Sequence, residues 1–295
     1  MKIISGRSNP ALAEKIAVKF ALQLSKVEIT KYSDGEVAVN IKEQIAGKIL
    51  LIIQSISKPV NEHLIELLML IRAAKENKAS KVIAVIPYFG YGRGNKKFTE
   101  GGVASAKLVA DMLDVAGADQ ILTLDLHSTQ ILDYFTIPVT NIDLTGLYIE
   151  RIKFKDNLII VSPDIGGKDR ASKLALILNA ELAVMNKERL AGGSCMMHHI
   201  DAKVKGKNCL IIDDIIDTGE TVVQAANFLQ ANGATSVKCI ATHGVLSNND
   251  VLNMLKFAPL DFIYLTNSIN LRYLGIKFEI IDIAEKIVQE LQKIL

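Results

Sequence analysis

Short, continuous apolar runs rich in β-branched residues alternate along this chain with longer stretches whose apolar positions recur every three or four residues. The short runs are too uniformly hydrophobic for half-exposed strands and suit the middle of a parallel sheet, while the longer ones suit amphipathic helices packed against it. In the first half the pattern predicts strands over 2–5, 49–54, 82–86 and 120–124, with helices over 10–22, 60–75 and 105–116. Residues 27–41 alternate in period two around Ser33-Asp34-Gly35, which predicts an antiparallel flap hairpin appended to the sheet. The second half repeats the scheme, with strands over 158–161, 181–184, 209–212, 237–241 and 262–265 and helices over 168–178 and 221–231. Repeated βα alternation predicts an α/β protein with parallel sheets. The pattern changes over around 141–150, so two domains are expected, 1–146 with the flap and 147–295.

Composition agrees with two cores, at 295 residues and 49% hydrophobic content. A net charge of +2, with both signs interspersed, argues against a nucleic-acid or membrane surface. The three cysteines, Cys195, Cys209 and Cys239, are spaced for neither a zinc site nor a disulfide framework, and the last two lie in apolar runs that read as core. The amino terminus lacks a signal core followed by a cleavage site, and no apolar stretch reaches the roughly 18–20 residues of a membrane span; a cytoplasmic enzyme is expected.

Candidate chemistry gathers at strand ends. The strand over 209–212 is expected to stop at Asp213 and Asp214, on the carboxyl edge where open α/β folds bind ligands. Adjacent carboxylates suit sugar hydroxyls or a hydrated metal. Asp217, Thr218, Gly219, Glu220 and Thr221 then supply hydroxyls, a glycine and successive N–H groups opening a helix, a combination that favours a phosphate dianion. Two further strands run into Asp125-Leu126-His127-Ser128 and Ser162-Pro163-Asp164-Ile165-Gly166-Gly167, the glycine pair allowing backbone N–H groups to approach a pyrophosphate. His127 and Asp164 together suit one divalent cation such as Mg²⁺, which is usually kept by few protein ligands plus substrate phosphates, although a lone histidine after a strand is more often structural. The loop from Tyr88 to Lys97, with its aromatics and Arg93, suits base stacking and phosphate contact. Lys187 and Arg189, in a segment ending in Gly192-Gly193-Ser194, suit a lid that brings positive charge onto a transferring phosphoryl group.

In order along the chain, these motifs resemble the ribose-phosphate pyrophosphokinase (phosphoribosyl diphosphate synthetase) family. The matching parts are Tyr32-Ser33-Asp34-Gly35-Glu36, Ile86-Pro87-Tyr88-Phe89 with Tyr91 and Arg93, Asp125 to Ile131, Ser162-Pro163-Asp164 with Gly166-Gly167, Lys187 with Arg189, and Asp213 to Thr221. The resemblance implies two phosphoribosyltransferase-like domains, each with a mostly parallel central sheet flanked by helices. It also implies Mg²⁺-dependent transfer of the diphosphoryl group of ATP to ribose 5-phosphate, giving phosphoribosyl diphosphate and AMP. By position, Asp217 to Thr221 would cradle the 5-phosphate, and Asp213 and Asp214 the ribose hydroxyls with associated metal. His127 and Asp164 would hold the cation of MgATP, and Gly166 and Gly167 would receive the diphosphate. Arg93 would contact ATP, Tyr32, Asp34 and Glu36 would reach adenine from a neighbouring subunit, and Lys187 and Arg189 would close over the β-phosphorus. A homo-oligomer built from dimers, up to a hexamer, is implied with it.

The chain departs from that pattern in four places. Gly94 stands where the family has a glutamine, Gly101-Gly102-Val103 where a basic residue and a proline are common, and Glu220 where a glycine is usual. The chain stops at Leu295 without the family's Asn-Gly-Glu-Ser-bearing tail, so regulation by ADP and phosphate is expected to be weak or absent. A phosphoribosyltransferase would use the same Asp213 to Thr221 loop, and a non-catalytic regulatory homologue would tolerate the departures; both remain as alternatives.

Overall fold

The computed structural model describes every residue except 98, 153–155, 190–194, 249 and 272–273, together with the side chains outside 187–189 and 195–198. Two compact units are present: 1–143 with 267–270 and 282–295, and 144–266 with 271–281. This differs from the expected 1–146 and 147–295 at the carboxyl end, because the last helix returns to the first unit. A linear pattern of apolar residues carries no record of which sheet a late segment packs on.

The first unit runs β1 (Lys2–Ser5), α1 (Pro10–Lys19), β2 (Val27–Lys31), β3 (Val37–Ile41), β4 (Ile49–Ile53), α2 (Val60–Glu76), β5 (Lys81–Ile86), α3 (Ser105–Ala116), β6 (Gln120–Leu124) and β7 (Val139–Ile142). Its five-stranded sheet has the order β1-β4-β5-β6-β7, and every neighbouring pair is parallel. Central strands of such a sheet are covered on both faces, which is why all five residues of β6 are buried. Leu64, Leu67, Leu70 and Ile71 of α2 pack with Val109 and Leu113 of α3 in one cluster over the sheet. The β2–β3 hairpin is a separate two-stranded antiparallel sheet whose Val27, Ile29, Val39 and Ile41 join the same cluster. Helix α1 starts where Asn9 caps the Leu12 N–H at 3.3 Å with Pro10 in the first turn, and it stops at Lys19 rather than at 22.

The second unit continues α4 (Thr145–Ile149), β8 (Leu158–Ser162), α5 (Lys168–Leu178), β9 (Glu181–Arg189), β10 (Cys195–Ile200), β11 (Asn208–Ile216), α6 (Glu220–Ala231), β12 (Ser236–Gly244), α7 (Asp250–Phe257), β13 (Phe262–Thr266) and β14 (Phe278–Ile281); α8 (Ala284–Ile294) closes the first unit. The seven strands lie in the order β10-β9-β8-β11-β12-β13-β14, with only β10 antiparallel to its neighbour. After β8 the chain goes to β9 on one side and later to β11 on the other, so the sheet changes winding direction between β8 and β11. In open α/β sheets, that change opens a crevice beyond the strand ends where ligands sit.

Strands β9 and β11 are both longer than the apolar runs that announce them. Strand β9 reaches Arg189 and β11 reaches Ile216, because pairing with β10 and β12 respectively continues the ladder past the apolar segment.

Candidate active site

The second unit's site is built on the crevice between β8 and β11. Pairing of these strands ends at Val161 and Ile211, whereas β11 stays paired with β12 as far as Ile216 and Gly244. Asp213 and Asp214 therefore lie inside β11, beyond the point where β8 has left it, and not at the strand's end as the sequence suggested. The Asp214 N–H donates to Asp213 Oδ1 at 2.9 Å, and Asp214 is buried. Burial first, and the adjacent Asp214 carboxylate second, push the Asp213 carboxyl well above the ordinary range. Arg170, on the first turn of α5, offsets part of this, its Nη1 standing 3.6 Å from Asp214 Oδ1. Arg170 was missed in the sequence. Its signal was a cation near a helix amino terminus, where the dipole favours acids and a cation needs a specific partner.

Beyond β11 the loop is only Asp217, Thr218 and Gly219, because Glu220 is already the first residue of α6 and its side chain is exposed. Gly219 has φ +80°, and a Cβ there would stand 2.9 Å from Val251 Cγ2, so both backbone and space require glycine. The segment just after β12 braces the loop: Val245 and Leu246 N–H groups donate to the Ile216 carbonyl at 2.9 and 3.1 Å, and the Ser247 N–H donates to Asp217 Oδ1 at 3.3 Å. No side chain caps α6. Its leading N–H groups lack intrahelical acceptors, and the helix dipole adds a partial positive charge, so an anion fits there.

After β8, Asp164 opens a single 3₁₀ turn over Ile165–Gly167 that leads directly into α5. Its Oδ1 accepts the Gly167 N–H at 3.0 Å, and Ser162 Oγ donates to the Asp164 carbonyl at 2.7 Å. The Gly167 amide expected for a diphosphate is thus held by the Asp164 carboxylate; Gly166 beside it is exposed. Lys187 and Arg189 lie in a hairpin, with Lys187 opposite Met197 and Arg189 opposite Cys195, rather than in a loop after a strand. Their side chains and the turn 190–194 lie outside the described residues.

In the first unit the corresponding carboxyl edge carries Arg93 and His127. Asp125 follows β6 with φ +40°, a left-handed conformation that costs a residue with a Cβ roughly 1–2 kcal/mol and is held here by its N–H on the Ile142 carbonyl at 3.2 Å. The kink turns the chain so that His127 is exposed at the edge. Arg93 sits in a 3₁₀ turn, Gly92–Gly94, entered through Tyr91 at φ +66°. A Cβ on Gly92 would stand 4.0 Å from His127 Cβ, so the Arg93 turn and His127 are neighbours. Gly94 abuts Ser105, whose Oγ would be 2.0 Å from a Cβ there, so the glutamine of the family pattern requires Ser105 to move. Tyr88 and Phe89 are buried, Phe89 edge-on to Phe135 with centroids 5.9 Å apart, so neither is the base-stacking aromatic the loop suggested. Tyr91, whose hydroxyl donates to Asn61 Oδ1, is 37% exposed, and Tyr32 at the hairpin tip is 62% exposed.

Tyr32, Asp34 and Glu36 are all exposed on that tip. The Tyr32 N–H donates to the Glu36 carbonyl at 2.8 Å, and Asp34 Oδ1 accepts the Glu36 N–H at 3.1 Å, which holds the turn. Among the described residues, no three His, Cys, Asp or Glu side chains converge as a metal cage, and no helix is long and apolar enough to cross a membrane.

A model of the N-terminal domain of ribose phosphate pyrophosphokinase matches residues 1–117, and a phosphoribosyl transferase domain model matches 135–257. The chain is 42% identical over 273 residues to a ribose-phosphate pyrophosphokinase of Mesorhizobium japonicum, covering 91% of this chain and 88% of the relative. It is 38% identical to that of Thermotoga maritima, covering 100% and 95%. The crystal structure of phosphoribosylpyrophosphate synthetase from Mycobacterium smegmatis superposes with a TM-score of 0.93 at 32% identity, covering 99% of this chain and 98% of that one.

Proposed function

The chain belongs to the ribose-phosphate pyrophosphokinase family, enzymes of phosphoribosyl diphosphate synthesis, and from that premise we propose that it joins the β,γ-diphosphoryl group of ATP to the C1 hydroxyl of ribose 5-phosphate. The C1 oxygen bonds to the β-phosphorus, the bond from that phosphorus to the α-phosphate bridging oxygen breaks, AMP leaves with that oxygen, and the hydroxyl proton passes to solvent. Loose, in-line phosphoryl transfer depends on positioning and charge stabilisation more than on a strong base.

Asp217, Thr218, Gly219, Glu220 and Thr221 receive the 5-phosphate at the uncapped start of α6, Glu220 contributing its backbone while its carboxylate stays in solvent. Asp213 and Asp214 accept the ribose hydroxyls, with Arg170 holding Asp214 in place. Arg93 and His127 take the ATP side, Gly166 beside Asp164 meets the diphosphate, and Lys187 and Arg189 cover the β-phosphorus. The Asp213–Asp214 pair suits Mg²⁺, a cation that relieves its mutual repulsion and is kept by few protein ligands plus substrate phosphates. His127 and Asp164 would hold the cation of MgATP, which supplies neutralisation of the triphosphate charge, and Asp213 and Asp214 would bind a metal associated with the ribose hydroxyls. In a cytoplasmic homo-oligomer built from dimers, Tyr32, Asp34 and Glu36 reach a neighbouring subunit's adenine.

The observation that carries this reading is the split between β8 and β11, which opens beside paired carboxylates and just before an uncapped helix. Phosphorus NMR of the protein with ATP, ribose 5-phosphate and Mg²⁺ tests it: AMP and phosphoribosyl diphosphate are expected in equal amounts. Diphosphate released from phosphoribosyl diphosphate and an added base, with no AMP from ATP, would instead identify a phosphoribosyltransferase.

A further inference from the structure

One charged chain in the first unit is not used by the chemistry above. Lys31 is the last residue of β2, immediately before the tip residue Tyr32, and its Nζ donates to Glu62 Oε2 at 2.8 Å. Its stem runs beneath the turn, with Cε 3.7 Å from where a Gly35 Cβ would lie. Glu62 stands in the first turn of α2, where the helix dipole favours a carboxylate, and its other oxygen accepts Arg7 Nη2 at 2.9 Å. Arg7 is fixed in turn by Glu66, whose side chain is fully buried: Nε meets Oε2 at 2.5 Å and the Arg7 N–H meets Oε1 at 2.6 Å. Gln54, at the carboxyl end of β4, donates to the same Glu66 Oε1 at 2.9 Å and accepts the Ser8 N–H at 3.0 Å. The chain of contacts thus runs from the rigid sheet edge, through α2, to the base of an exposed hairpin tip.

We propose that Lys31, Glu62 and Arg7 form a strut that fixes the angle of the hairpin tip, making Glu62 a positioning residue for the nucleotide side of the reaction. The inference rests on the reading that Tyr32, Asp34 and Glu36 contact the adenine. Two features separate this role from simple stability. The hairpin packs on the first unit's core through Val27, Ile29, Val39 and Ile41, none of which is a member of the ion pairs. Moreover, Lys31 and Arg7 are 46% and 36% exposed, a setting in which an ion pair adds little to folding but still narrows the orientations of a tip that must meet a ligand. The Glu62 carboxyl lies below its ordinary range, chiefly through the Lys31 hydrogen bond against some opposing burial, with the charges of Lys31, Arg7 and His63 adding to it, so it is ionised at neutral pH.

Lys31→Met, Glu62→Gln and the double variant, each assayed as the full-length enzyme, test the strut. Each single change is expected to raise KM for ATP about 3–5-fold, the scale of a lost exposed ion pair, with kcat, KM for ribose 5-phosphate and melting temperature near wild type. The double variant should be no worse than the weaker single. Tyr32→Ala and Asp34→Ala serve as controls for the tip. If these raise KM for ATP while Lys31→Met and Glu62→Gln do not, the strut is overturned and the adenine assignment stands. If none of the four moves it, the adenine assignment falls and the strut with it. A parallel rise in KM for ribose 5-phosphate, or a large fall in melting temperature, would show general support of the fold and overturn the positioning role.

Discussion

Replacing Gly219 by alanine tests the construction of the phosphate loop most directly. Two independent costs apply. At φ +80° a residue with a Cβ is strained by about 1–2 kcal/mol. The new methyl would also stand 2.9 Å from Val251 Cγ2 and 3.5 Å from Leu255, both fully buried in α7, and overpacking of that kind costs about 1–3 kcal/mol. Together they predict a loss of about 2–5 kcal/mol, seen as a fall of about 5–15 °C in the melting of the second unit. Trimming Val251 to alanine removes the steric part and leaves the torsional part, so the double variant should fall short of additivity by about 1–3 kcal/mol. Steady-state kinetics should show KM for ribose 5-phosphate rising with KM for ATP unchanged, since the displaced N–H groups are those assigned to the 5-phosphate. A Gly219→Ala enzyme that melts with wild type, or costs that simply add with Val251→Ala, would refute the argument.

Asp213 binds its proton more tightly folded than unfolded, so its contribution to stability is present at low pH and is lost as pH rises from the ordinary carboxylate range through its raised folded value. Asp213→Asn should therefore be more stable than wild type at neutral pH, with the gap closing on acidification; pH-dependent melting curves that show the opposite trend would count against the raised Asp213 carboxyl. Lys187→Ala and Arg189→Ala should each lower kcat by about 10²–10³ while changing KM much less, and unchanged turnover in both would remove them from the β-phosphorus. Burial pushes the Cys209 thiol up to about 12 and raises that of Cys239, helped by Asp213, so peptide mapping after iodoacetamide treatment of the folded protein at pH 8 should find neither alkylated.

What the sequence determined by itself is local and periodic. Helices over 105–116 and 168–178 and strands over 2–5 and 120–124 lie where their apolar spacing puts them, because one face or both must be buried whatever the neighbours are. Turns after the buried strands at Ser162 to Gly167 and at Asp217 to Gly219 were legible too, since acids and glycines right after an apolar run mark where a strand gives way to a helix. The extent of β9 and β11 was not legible: a ladder partner, β10 or β12, extends each strand through polar residues that no hydropathy pattern marks. Tertiary structure alone decided that β8 and β11 part beside Asp213, that Arg170 partners Asp214, that Tyr88 and Phe89 are core, and that α8 returns to the first unit. The same holds for the link from Glu66 through Arg7 and Glu62 to Lys31, whose members are up to 59 residues apart in the chain. Such contacts depend on which distant segments are packed together, and propensity and periodicity register only the few residues on either side.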